Sequence, residues 1–162
     1  MFNDGISGKV AGGCQCGVVR FRATTTIDDA HLCHCRMWQK AVGNIFATLV
    51  SAPKENFVWT RNAPKFWRSS EHVWRGFCGN CGTSLCYDDK QFDRIGLMIA
   101  TFDNPGDFVP RTQDGIEGRM PWFKIDSIAE SGITEKPAQA AWAQQIKNSN
   151  RQHPDQDSDD FA

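Results

Sequence analysis

Apolar and polar residues alternate over residues 18–24, with Val19, Phe21 and Ala23 on one side and Arg20 and Arg22 on the other. That period of two predicts a half-buried strand. Short segments rich in β-branched and aromatic residues follow at 45–50, 57–60, 66–68, 73–77, 84–87 and 95–101, separated by Gly, Pro, Asn or Asp. Many short strands with little helix predict an all-β, sandwich-like domain. Residues 36–42 break the pattern and read as one or two helical turns. Further on, Pro137, Ala138, Ala141, Trp142 and Ile146 have helical spacing with proline in the first turn, which predicts a short C-terminal helix. From residue 148 the chain is polar and acidic, too poor in apolar groups to offset the entropy of ordering, and a disordered tail over 148–162 is expected.

With 162 residues the length fits one folded domain. The expected organisation is a zinc domain over 1–130, an extension with the short helix over 131–147, and the tail. Eighteen basic residues against nineteen acidic ones leave a formal charge of −1, so no general attraction to nucleic acid or anionic membrane is expected. Neither a signal-like start nor a run of membrane-spanning length is read in the sequence, and the expected location is cytoplasmic.

Seven cysteines change the picture, because six of them fall in close pairs: Cys14 with Cys16, Cys33 with Cys35, and Cys78 with Cys81. An odd number cannot all pair within one chain, and in a reducing compartment such pairs point to metal rather than disulfides. Cys78-Gly79-Asn80-Cys81-Gly82 has the form of a zinc knuckle. Cys14-Gln15-Cys16 is a second pair, expected on an extended segment whose alternate residues face one ion. Together they supply four thiolates, the usual closed structural zinc shell, which would join segments about sixty residues apart. Cys33-His34-Cys35 lacks an obvious set of partners. Metal there would need water, a ligand thiol, His34 or Cys86, and open positions mark reactive zinc; the alternative is a reduced, metal-free pair. Cys86, in a strand-like segment, reads as a small buried apolar residue.

These residues resemble the glutathione-dependent formaldehyde-activating enzymes and their centromere protein V relatives. The resemblance is carried by Gly12-Gly13-Cys14-Gln15-Cys16-Gly17, Cys33-His34-Cys35 with Gln39-Lys40-Ala41-Val42-Gly43, Phe77-Cys78-Gly79-Asn80-Cys81-Gly82-Thr83, Thr101-Phe102-Asp103-Asn104-Pro105 and Pro121-Trp122-Phe123, in the family's order. It implies a β-sandwich with irregular coil and a structural zinc at Cys14, Cys16, Cys78 and Cys81. It also implies a catalytic zinc whose first two ligands match Cys33 and Cys35, and a carbon–sulfur lyase that joins formaldehyde to glutathione. The third cysteine of that motif should stand three residues after Cys35, where this chain has Trp38, which cannot ligate zinc. A family histidine is likewise replaced by Gln113. Two functions therefore stay open: a lyase acting on a glutathione or other thiol adduct at a zinc site weakened by Trp38, or a non-catalytic module for a small thiol or protein partner, with Trp38 as an apolar wall. Chromatin binding, by analogy with centromere protein V, is disfavoured by the near-neutral charge.

Overall fold

A computed structural model describes residues 8–24, 28–131, 137–152 and 155. In chain order its elements are β1 (Val10–Gly13), β2 (Arg20–Ala23), β3 (Asp28–Cys33), helix α1 (Arg36–Val42), β4 (Ala47–Pro53), β5 (Phe57–Arg61) and β6 (Lys65–Arg68). There follow β7 (Val73–Phe77), β8 (Ser84–Asp89), β9 (Arg94–Met98), β10 (Thr112–Asp114), β11 (Ala129–Glu130) and helix α2 (Pro137–Asn148). The alternation read between 18 and 24 is realised in β2 and the residue before it: Val19, Phe21 and Ala23 are buried and Arg22 is exposed. None of the helices among the described residues is long and apolar enough to cross a membrane.

The strands form two sheets. One has the order β1-β2-β5; the other runs β11-β10-β3-β4-β9-β8-β7-β6. Apolar faces of both meet in a shared core, with Phe21 and Ala23 from the smaller sheet packed among Val50, Ala52, Cys86, Ile95 and Leu97 from the larger. Phe102 meets the Phe21 ring at 5.1 Å, edge to face. This is the sandwich expected from the pattern. Gly12 is part of that packing, since a Cβ there would lie 2.4 Å from the Thr101 carbonyl oxygen and 2.5 Å from the Phe21 ring.

Several elements differ from the sequence reading. The strand expected over 95–101 ends at Met98, and Ile99–Thr101 forms a 3-10 turn. Strands β1, β3, β10 and β11 were not anticipated. Helix α1 forms where helical turns were expected and stops at Gly43, whose left-handed backbone (φ +63°) lets its N–H reach the Gln39 carbonyl. Helix α2 also forms as expected, with Ile146 buried and the Trp142 indole N–H donating to Asp89 Oδ2 at 2.8 Å. The expected disordered tail falls partly outside the described residues, at 153, 154 and 156–162. Its first residues bond to the turn after β6: the Arg151 N–H donates to the Ser69 carbonyl at 2.9 Å, and the Glu71 N–H donates to Ser149 Oγ at 3.0 Å.

Candidate functional site

Two hairpin turns, one from each sheet, bring four cysteines together. Cys14 and Cys16 lie in the β1–β2 turn, and Cys78 and Cys81 in the β7–β8 turn. The first pair is not on an extended segment, as alternation had implied. The Gly17 N–H closes a tight turn onto the Cys14 carbonyl at 3.0 Å, and Gly17 supplies the left-handed backbone (φ +74°). Turning, rather than alternation, is what aims both sulfurs inward. The four Sγ atoms all lie within 4.8 Å of one another, with Cys14–Cys16 at 3.5 Å and Cys16–Cys78 at 3.8 Å. Zinc–sulfur bonds of about 2.3 Å at the tetrahedral angle put sulfurs about 3.8 Å apart, so the donor set fits one such ion.

Hydrogen-bond donors converge on the sulfurs, although at Cys78 the backbone N–H groups of Cys81 and Asn80 are outweighed by burial and by the neighbouring Cys14 and Cys81, which push its thiol up to about 11 without metal. The Val19 N–H donates to Cys14 Sγ at 3.2 Å, the Asn80 N–H to Cys78 Sγ at 3.4 Å, and Asn80 Nδ2 to Cys16 Sγ at 3.3 Å. The Thr83 hydroxyl and backbone N–H bring the Cys81 thiol down to about 5 even without metal. A metal here would rivet the smaller sheet to the larger one.

Cys33 ends β3 and Cys35 precedes α1, and their sulfurs are 3.4 Å apart with the Cys33 S–H donating. That hydrogen bond is the largest influence bringing the Cys35 thiol down to about 7; the Trp38 N–H and the Arg75 cation add to it, and burial opposes it. Cys33 is pushed well up by the same hydrogen bond and by burial. Among the described residues no third Cys, His, Asp or Glu forms a metal-ligating group with this pair. The two substitutes considered from sequence are placed elsewhere. Cys86 faces the core on the side of β8 opposite Tyr87, beside Phe21 and Leu97, and burial pushes its thiol up to about 12. The fully buried His34 ring packs against Phe46 and faces Gln113.

Gln113 explains why His34 is held there. Its Nε2 donates to the Ile125 carbonyl at 3.0 Å and the Ile128 carbonyl at 2.7 Å, leaving Oε1 to accept from His34 Nε2 at 3.1 Å. Gln39, on α1, donates to the carbonyls of His34 (2.9 Å) and Gly118 (2.8 Å). These two buried amides clamp the segment that carries Cys33 and Cys35. Gln113→Leu would strand one N–H and two carbonyls in the interior, and urea unfolding is expected to show a loss of about 3 kcal/mol.

Trp38 is 5 % exposed and packs with Ala47, Leu49 and Met98. The Arg75 guanidinium covers its ring at 4.0 Å from the centroid, and Tyr87 stands 5.5 Å away on the other strand of the β7–β8 pair. Arg75 was missed from sequence, although a signal existed: it is two residues from the inward-facing Val73, so the strand period already placed a charge on a buried position.

The fold and the four-cysteine cluster define a two-sheet β-domain with a site able to hold one metal ion. Residues 9–116 match the family described as glutathione-dependent formaldehyde-activating enzyme. The chain belongs to that family. No curated protein matches it significantly. Among solved structures, a protein from Rhodobacter sphaeroides superposes with a TM-score of 0.50 at 20% identity, covering 60% of this chain and 93% of its own; that likeness concerns the fold.

Proposed function

We propose that this family member holds one zinc ion at Cys14, Cys16, Cys78 and Cys81 to lock its fold, and receives a small thiol of the glutathione class at Cys33 and Cys35 without a second metal. The observation that carries this reading is the fate of the third-ligand position. There the chain has a buried indole in contact with Arg75 and Tyr87, and the thiol pair has no further ligand among the described residues. Zinc catalysis ordinarily rests on three protein ligands plus one open position, and two thiols beside a guanidinium do not meet that requirement. Arg75 further disfavours a cation and favours negative charge on sulfur.

Membership in the family supports a thiol as ligand at the level of class. Cys33 and Cys35 are partly exposed and would meet the ligand sulfur, while Gln39 and Gln113 keep their backbone in place. A second reading, a carbon–sulfur lyase, is favoured by the retained pair at 3.4 Å. In that reaction the thiol sulfur bonds to the aldehyde carbon and the thiol proton passes to the carbonyl oxygen, and the reverse step breaks the same bond.

Metal content of the folded chain, purified without chelator, is expected near one zinc with or without glutathione. Calorimetry should show saturable glutathione binding that weakens at least tenfold in the double variant Cys33→Ser/Cys35→Ser. Two ions per chain, together with glutathione–formaldehyde adduct formation faster than in buffer, would replace this reading with the lyase.

A further inference from the structure

We propose that the cavity between α1, the β6–β7 hairpin and residues 150–152 is a binding site for a small organic carboxylate with an apolar body. The cavity has a volume of about 410 Å³. Lys40, Arg75 and Arg151 line it, and among the described residues no carboxylate does. Met37, Ala41 and Trp67 supply apolar wall. That volume is in the range of small-molecule pockets and far exceeds what an inorganic anion fills.

Arg75 is the decisive residue. It is 7 % exposed, yet its Nη1 has no hydrogen-bond partner, and among the described residues no carboxylate forms an ion pair with it. Burying a guanidinium while leaving an N–H unsatisfied costs stability, because the lost hydration is not replaced. Stacking on Trp38 covers one face of the ion and supplies no acceptor to Nη1. A carboxylate entering the cavity would stand beside the part of Arg75 that lines it and bring negative charge to this buried cation. The other cation at the α1 side is already engaged: Asp155 accepts from Arg36 at 2.9 Å and pairs with Lys40 at 3.0 Å. A carboxylate is thus accommodated at the rim, and Arg75 remains for the ligand.

This inference does not rest on the thiol reading, and the probe is chosen accordingly. Benzoate carries the carboxylate and an apolar ring but no sulfur, and benzamide is its neutral counterpart. In the zinc-loaded, full-length chain, benzoate is expected to shift the Arg75 side-chain 15N–1H resonances saturably at millimolar concentration. Benzamide should bind at least tenfold more weakly, and Arg75→Gln should lower benzoate affinity at least tenfold. Should Arg75→Gln fail to fold, Trp67→Ala removes wall at a half-exposed residue and is expected to weaken benzoate severalfold. Equal binding of benzoate and benzamide, or Arg75 resonances unmoved at saturating benzoate, would overturn the proposal. Displacement of benzoate by inorganic phosphate at equal concentration would overturn the assignment to organic carboxylates.

Discussion

Cys78→Ser is expected to release the proposed zinc ion and to lower stability by several kcal/mol, read as metal content by elemental analysis and as the urea midpoint of unfolding. Cys78 is 1 % exposed, and its sulfur lies 3.8 Å from that of Cys16 on the other sheet. The ion would therefore tie two sheets whose own contact at that end is small: Cys14, Val19, Cys78 and Leu85 are its buried members. Structural zinc in small domains contributes on the order of 10 kcal/mol to folding, and removing one of four ligands forfeits much of it. Serine offers a hard, protonated oxygen in place of a thiolate. The matched control is Cys33→Ser, which should keep its metal and stay within about 1 kcal/mol of the parent, since a partly exposed thiol outside the cluster is exchanged for a near-isostere. Unfolding by the control and not by Cys78→Ser would mean that the roles of the two sites are reversed.

Trp38→Cys is expected to raise the zinc content from the proposed one ion per chain to two, while destabilising the chain when the Cys33–Cys35 site holds no metal. The replaced indole packs with Ala47, Leu49 and Met98 and carries Arg75 on its face, so its removal leaves a cavity and an unsupported cation. Large aromatic-to-small changes in cores cost about 3–5 kcal/mol. The new thiol would stand one helical turn from Cys35, at the position where the family resemblance expects the third ligand. Added zinc should then recover part of the lost stability by mass action, visible as a thermal midpoint that rises with zinc in the variant and not in the parent. A variant that still holds a single ion would show that restoring the third thiol is not enough, with Arg75 the next residue to change.

How much of this was legible beforehand follows from the kind of signal each feature leaves. The strand at β2, the helix α2 and the four-cysteine cluster were readable because local periodicity and paired cysteine spacing are properties of a few neighbouring residues. Strand β3 was not, because Asp28-Asp29-Ala30-His31 is polar and its ladder is interrupted between Asp28 and His31. Asp29 adopts φ +58° there, and its carboxylate accepts from the Ser51 N–H and hydroxyl, which rewards a polar residue at an interior strand. Strands β10 and β11 are two or three residues long and take their identity from pairing in parallel beside β3, a long-range fact.

The sequence by itself determined the sandwich pattern and the paired cysteines able to hold a metal, because local periodicity and spacing carry those directly, while the family resemblance marked Trp38 as standing where a third thiol is expected. Only the tertiary structure decided that Cys86 and His34 point away from the Cys33–Cys35 pair, that Gln39 and Gln113 hold its backbone, and that Arg75 lies buried over Trp38 with an unanswered donor. Those outcomes depend on which faces of distant strands meet, and hydrogen-bond partners 79 residues apart leave no mark in local sequence.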